Sequence, residues 1–228
     1  MAPPERWESN PHMRISKTHV AAFALACLTA SPSYASPGNW SRLPQVPHSG
    51  EDITPSRHRV LVGGLLLGRD KIEFEQTRWS DLQHVLGPLK MRRQGDASET
   101  EDWTCFTVGT GKGRFQVWLH GGELQGGEFI DGVTAQAGSP WPVRECPVVS
   151  PRQRAAALDN GIWVGTTKSE ILKRLGQPTA VHGATLIYDF DVAVRDPKLG
   201  EGSVGGRLIF EIHADRVGRL LATKDTSY

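Results

Sequence analysis

Hydrophobic residues recur at helical spacing in two short stretches of the chain. The clearer stretch, residues 166–178, has an apolar stripe and contains residues typical of a helix start and of a helix end. Thr167 and Glu170 have the spacing of a capping box, and Gly176 just before a proline is typical of a helix end. A weaker copy of this pattern lies at residues 77–88, where Thr77 is the expected cap. The chain therefore predicts two short helices, one in each half.

Alternating hydrophobic and polar residues follow each predicted helix, and this alternation predicts antiparallel strands. The apolar positions on one face should pack against the helices: Phe115, Val117, Leu119, Leu208, Phe210 and Ile212. The opposite face should be exposed to solvent. It supplies the candidate partner-binding residues Trp103, Gln116, Trp118, Ile209 and Glu211.

The same order of elements occurs in both halves of the chain. It predicts an α+β fold of two tandem repeats, each a short helix packed on an antiparallel β-meander. The first repeat should span residues 58–137 and the second residues 153–228. A segment rich in proline, residues 138–152, should link them. The charged residues 89–102 are expected to form a solvated loop, and the glycine-rich residues 195–206 a long insertion.

The N-terminus has the pattern of a secretory signal peptide. A basic segment from Met13 precedes an apolar run that is too short to span a bilayer, and small residues end at Ala35. Residues 1–35 are therefore predicted to be a signal peptide that starts at Met13, and residues 36–57 a flexible lead-in. We expect a periplasmic or secreted protein without a membrane span. The residues before Cys27 form a poor lipobox, so we expect no lipid anchor there.

Cleavage near Ala35 would leave two cysteines, Cys105 and Cys146, in an oxidising compartment. A disulfide between them is the expected outcome. A reactive cysteine is the alternative, but neither residue has a neighbouring histidine or a helix start that would lower the pKa of its thiol. The sequence therefore favours a structural disulfide.

Charge and motifs exclude several function classes. The chain has 26 basic and 25 acidic residues, a balance that argues against a general nucleic-acid binder. The glycine-rich segment 109–113 precedes a strand rather than a helix, so it predicts a turn and not a phosphate-binding loop. No spacing typical of a cofactor or metal site is recognised, and we predict neither.

The second half resembles a known module. Residues 165–170 and 175–178, followed by the strands at 208–217, resemble the modules of the beta-lactamase inhibitor protein and of the BamE (SmpA) outer-membrane-assembly lipoproteins. The resemblance implies a tandem helix-and-sheet architecture whose exposed sheet face binds a protein. Another envelope protein would then be the partner. The poor lipobox argues against a role in outer-membrane assembly.

Two function classes follow from these patterns. The first is an exported noncatalytic protein of the bacterial cell envelope, either structural or binding a partner through Trp103 and Trp118. The alternative for each tryptophan is cover by another strand, by the N-terminal segment or by the disulfide loop. The second class is a hydrolase or metal-dependent enzyme that uses Asp189, Glu211 and His213. His120 occupies the equivalent position in the first half without an expected carboxylate neighbour, which favours a structural role for both histidines.

Overall fold

The fold is dominated by antiparallel β-structure. A computed structural model describes residues 42–57, 59–96, 99–109, 113–122, 127–138, 141–142, 144–149 and 156–228. Its strands are β1 (Gly64–Leu67), β2 (Asp70–Glu73), β3 (Arg92–Asp96), β4 (Glu99–Val108), β5 (Phe115–Gly122), β6 (Gly132–Ala137), β7 (Ala156–Leu158), β8 (Ala180–His182), β9 (Thr185–Asp196), β10 (Gly200–His213) and β11 (Arg216–Ser227). Its helices are α1 (Trp79–Leu86) and α2 (Lys168–Leu175).

One sheet joins the two halves of the chain. Eight strands lie in the order β3-β4-β5-β6-β11-β10-β9-β8, and a smaller sheet has the order β2-β1-β7. The halves meet where β6 pairs with β11, with Gly132 opposite Thr223. This pairing leaves neither strand with an exposed edge. The described residues all belong to one compact unit.

The predicted α+β fold of two tandem repeats is therefore wrong. The described chain is mostly antiparallel sheet with two helices of eight residues each, and it shows no separate repeats. The sequence pattern underestimated the strands, because it assigned residues 89–102 and 195–206 to loops. The first segment forms β3 and the start of β4, and the second extends the hairpin of β9 and β10.

Charged side chains explain why β3 escaped prediction. Arg93 lies opposite Asp102 in the β3–β4 pair, and its Nε and Nη2 each donate to one oxygen of that carboxylate at 2.7 Å. Gln94 likewise donates to Glu101 at 2.7 Å. Cross-strand pairs of this kind stabilise a sheet without an apolar period. A polar strand at the sheet edge is consistent with protection against aggregation.

The two helices start differently. The hydroxyl of Thr167 accepts a hydrogen bond from the amide of Glu170, whose carboxylate accepts from the Thr167 amide at 3.0 Å, so α2 has the predicted capping box. The N-cap of α1 is Arg78, which makes no side-chain cap. The predicted cap Thr77 instead accepts from the amide of Glu73 at 2.9 Å. Residues 77–88 therefore contain the predicted helix, but Thr77 does not cap it.

The predicted apolar face lies in the main core. Val117, Leu119, Leu208 and Phe210 are fully buried, and Phe115 and Ile212 pack against them. Each helix contributes one fully buried residue to the same core, Leu82 from α1 and Ile171 from α2. Period-two alternation thus assigned this face correctly.

Two segments cover the other face of the large sheet. The N-terminal strap (residues 42–57) lies over β9, β10 and β11, where its Val46 packs with Ile187, Ile209 and Leu221. The disulfide loop (residues 141–142 and 144–149) lies over β4 and β5. The predicted disulfide between Cys105 and Cys146 is present and ties this loop to β4.

Neither helix of the described residues is long and apolar enough to cross a membrane. The predicted signal peptide at residues 1–35, including Cys27, lies outside the described part of the chain.

Candidate functional site

The tryptophans predicted to bind a partner have no solvent-exposed surface. Trp103 and Trp118 are both 0% exposed. Each meets the ring of Trp141 edge-on, with centroids 5.5 Å and 5.4 Å apart respectively. The expectation that these side chains are exposed is therefore wrong, because the disulfide holds the loop that carries Trp141 over them. Cover by the disulfide loop is one of the alternatives that the sequence left open for these tryptophans.

The other three predicted binding residues occupy different surroundings. Gln116 is buried and exchanges two hydrogen bonds with the backbone of Trp141, at 2.6 Å and 2.8 Å. Ile209 is buried against Val46 of the strap. Glu211 is partly exposed and lies 3.3 Å from Nη1 of Arg219. Glu211 thus retains some accessible surface, whereas Gln116 and Ile209 do not.

Asp189, Glu211 and His213 do not form one site. The carboxylate of Asp189 is paired with Arg207 at 2.5 Å. Arg207 is also the residue of β10 that lies opposite Asp189. Glu211 follows it by four residues on β10, a distance of about 13 Å along a strand. Nε2 of His213 is 3.8 Å from Glu211, and the side chain is 70% exposed. Nothing in this arrangement supports the hydrolase or metal-enzyme alternative.

The strap is held to the sheet along most of its length. The amide of Leu43 donates to Gln94 at 2.7 Å, and Arg207 donates to the carbonyl of Ser49 at 2.6 Å. Further along, the amide of Ser56 donates to the carbonyl of Asp189 at 2.8 Å. Residues 42–57 of the predicted flexible lead-in are therefore anchored to the sheet. The sequence did not indicate this, because the segment has no apolar period.

A polar cleft of about 1720 Å³ lies between the strap and the sheet. The strap forms one wall, and strands of both halves form the floor. Three neighbouring side chains of that floor, Glu101, His120 and Asp131, are called the cleft triad below. They come from β4, from β5 and from the residue before β6.

Packing fixes the central histidine of the triad. His120 is 4% exposed, and its Nδ1 lies 3.3 Å from the carboxylate of Glu101 and 3.8 Å from that of Asp131. Its partner in the sheet is Gly132, where an added Cβ would lie 2.2 Å from the imidazole Cε1. A glycine is needed there to leave room for the ring. Asp131 is oriented by the amide of Gly122, which donates to it at 2.8 Å.

Burial dominates the electrostatics of the triad. It lowers the pKa of His120 to about 4, and it raises the pKa of Asp131 to about 6, with a further contribution from the charges of Glu101 and Glu75. Burial also raises the pKa of Glu101. At neutral pH the imidazole is therefore uncharged, and it does not neutralise the two carboxylates beside it.

Several buried polar atoms at the cleft lack a hydrogen-bond partner within the described residues. They are Nε2 of His120 and the hydroxyl oxygens of Thr100 and Thr134. An unpaired buried polar atom costs about 1–3 kcal/mol, so a ligand or ordered water is expected to meet such atoms. The floor of the cleft therefore combines unpaired polar atoms with negatively charged carboxylates.

This triad is not apparent in the sequence because its three residues are far apart along the chain. Register brings them together: β4 places Trp103 opposite His120, and Glu101 then falls opposite Gly122. The one signal in the sequence was a polar residue, His120, at the end of an alternating strand. The prediction that His120 lacks a carboxylate neighbour is wrong, because Glu101 and Asp131 lie beside it.

The raised pKa of Asp131 predicts a stability effect. We expect Asp131→Asn to raise the free energy of unfolding at pH 8 by up to about 3 kcal/mol, since a folded-state pKa near 6 penalises ionisation. The penalty is absent below the unfolded-state pKa near 3.8 and is complete above pH 6. The advantage of the variant should therefore shrink as the pH falls through this window. Urea unfolding between pH 4 and pH 8 measures it.

His120 contributes to the pH dependence of stability with the opposite sign to Asp131. Its lowered pKa means that its stabilising effect is complete above about pH 6.5 and is lost as the pH falls towards 4. Only the difference between variant and wild type therefore isolates Asp131. The exposed Asp215 supplies the control, because Asp215→Asn removes a carboxylate that is not buried. A pH-independent effect of Asp131→Asn would contradict the prediction.

No protein-family model, no curated protein and no solved structure matches this chain. Fold and site therefore define the class by themselves: a mostly antiparallel β-protein in which a strap covers an acidic, half-buried cleft.

Proposed function

We propose that the protein is an exported noncatalytic binding protein of the bacterial cell envelope. Its polar cleft receives a cationic side chain, lysine or arginine, of another envelope protein. The observation that carries this proposal is the cleft triad, in which two carboxyl groups with raised pKa values face a neutral, buried His120. A bound cation would lower the pKa of both carboxyl groups and would favour their charged forms.

Two basic residues at the floor of the cleft are already paired with other carboxylates, and among the described residues the further basic side chain that lines the cleft is the exposed Arg42 of the strap. Lys224 lies 2.7 Å from the carboxylate of Glu75, and Arg207 is paired with Asp189. A cationic side chain of a partner would complement the two carboxyl groups of the triad. Charge complementarity of this kind contributes to specificity and association rate.

Other features of the chain support the location and a protein as the partner. The disulfide between Cys105 and Cys146 suits an oxidising compartment, as does the predicted signal peptide. The resemblance of residues 165–178 to envelope modules favours a protein as the partner. We therefore place the proposed binding surface at the cleft and not at the aromatic face, which is covered.

A peptide titration followed by NMR tests this function. We expect acetyl-Gly-Lys-Gly-amide and its arginine analogue to shift the backbone amides of Gly122, Asp131 and Thr134. The norleucine analogue, which has a similar chain length and no charge, should shift none of them. Affinities in the millimolar range are expected for so small a probe, about −4 kcal/mol in binding free energy.

Matched variants make the test specific. Glu101→Gln together with Asp131→Asn should abolish the lysine-dependent shifts, whereas Asp215→Asn, which changes an exposed carboxylate, should preserve them. Equal shifts from the lysine and norleucine peptides would refute a cation site. Equal shifts in wild type and in the double variant would exclude the triad as the site.

A further inference from the structure

A second polar cluster joins the strap to the edge of the large sheet. It consists of His48 and Glu51 in the strap and His182 at the end of β8, and their candidate ligand atoms all lie within 4.8 Å of one another. One carboxylate oxygen of Glu51 contacts Nδ1 of His48, and the other lies 2.9 Å from Nε2 of His182. The two imidazole rings are stacked, with centroids 4.5 Å apart.

The backbone of the strap holds two of these side chains together. His48 has a φ of 65°, an uncommon conformation for a non-glycine residue and one that histidine tolerates better than most. The resulting turn brings His48 close to Glu51, three residues later. Arg207 fixes the turn, because its guanidinium donates to the carbonyls of His48 and Ser49 at 3.4 Å and 2.6 Å. Such backbone outliers concentrate at functional sites.

We propose that His48, Glu51 and His182 bind a single Zn²⁺ ion. Two imidazoles and one carboxylate form a ligand set that zinc sites use when the fourth position is left open to water. Calcium and magnesium prefer oxygen ligands, so they fit this set poorly. The side chains are 30%, 39% and 41% exposed in the order His48, Glu51 and His182, which leaves a path for the ion.

Zinc would replace protons at this cluster. Each ring nitrogen that now contacts Glu51 would coordinate the metal through its lone pair, and any proton carried there would pass to solvent. The ion would then sit between the two imidazoles and the carboxylate that bridges them. The ligand atoms already lie within 4.8 Å of one another, so we expect rotation of the exposed side chains to close the remaining gap to zinc–ligand distances of about 2.0–2.2 Å.

The position of the site gives the metal a structural consequence. The ion would fasten the turn of the strap to β8, and the strap is one wall of the polar cleft. Metal binding should therefore slow the detachment of the strap. The zinc site is argued from other residues than the cleft triad and is tested with metal alone, so it stands or falls separately from the function proposed above.

Calorimetric titration of the folded protein with ZnCl₂ tests the proposal. We expect one Zn²⁺ ion per chain, and no heat of binding with MgCl₂ or CaCl₂. His182→Ala should weaken zinc binding by at least about tenfold, since even the loss of an outer-shell partner costs 10–100-fold. His213→Ala is the matched control, because His213 is also exposed and lies 3.8 Å from a carboxylate, and it should bind zinc like wild type.

Backbone NMR shifts locate the bound ion. Zinc should broaden or shift the amides of His48, Glu51 and His182 before those of His213 or His84. Because the three ligands are exposed or half-exposed, their variants should fold, and a thermal scan without metal checks this. Absence of zinc binding, or equal zinc affinity in wild type and His182→Ala, would overturn the proposal.

Discussion

Replacing both Cys105 and Cys146 by alanine is expected to lower the free energy of unfolding by about 4 kcal/mol. The disulfide closes a loop with a sequence separation of 41 residues, and the chain-entropy relation gives this magnitude for a loop of that length. The loop also carries Trp141, which packs on Trp103 and Trp118. Opening the loop should therefore add a loss of packing to the loss of the entropic constraint. Urea unfolding followed by tryptophan fluorescence measures the change.

Reduction provides the control for this prediction. Dithiothreitol should destabilise the wild-type protein by a similar amount and should leave the double alanine variant unchanged. The emission of the folded variant should also shift to longer wavelength if the loop leaves the tryptophans. A variant that unfolds within about 1 kcal/mol of wild type would show that the loop is held by other contacts, among them the hydrogen bonds of Gln116 to Trp141.

Local patterns predicted part of this fold well. The capping box of Thr167 and Glu170 and the inward face of β5 and β10 depend on residues a few positions apart, and the structure has both. The pairing of Cys105 with Cys146 was predictable because only two cysteines follow the predicted cleavage site. In each case few alternatives competed with the correct one.

The covering segments could not be predicted in the same way. The strap is rich in proline, glycine and serine, the disulfide loop contains two prolines, and neither segment has a hydrophobic period. Their contacts are distant along the chain, such as Val46 with Ile209. Faces assigned by alternation alone therefore appeared exposed although they are buried. The merger of both halves into one sheet escaped notice for the same reason, because the β6–β11 pairing leaves no local signal.

The candidate sites depend on strand register and on the strap. Glu101, His120 and Asp131 approach one another only when β4, β5 and β6 are paired in the observed register. The zinc site needs the strap beside β8 as well. Each ligand looks ordinary in the sequence, because an isolated polar residue gives no indication of its neighbours across a sheet. Sites whose residues come from several strands are therefore the feature of this protein that is hardest to predict from a single sequence.

Trp118→Ala is expected to lower the free energy of unfolding by about 3–5 kcal/mol, the range for a large aromatic residue removed from a core. Trp118 is 0% exposed, lies opposite Cys105 in the β4–β5 pair and packs edge-on against Trp141. Its truncation would leave a cavity beside the disulfide. Chemical denaturation of the variant measures the loss, and the lysine-peptide shifts at the cleft should persist wherever the variant stays folded.

Trp118→Phe separates packing from other roles of this side chain. The indole Nε1 of Trp118 has no hydrogen-bond partner among the described residues, so phenylalanine removes a buried unpaired donor along with part of the ring. Phenylalanine should therefore cost much less than alanine. Because Trp118 and the disulfide share one cluster, combining Trp118→Ala with the double cysteine variant should destabilise by less than the sum of the separate effects. Full stability of Trp118→Ala together with lost peptide binding would instead restore the aromatic face as the binding surface.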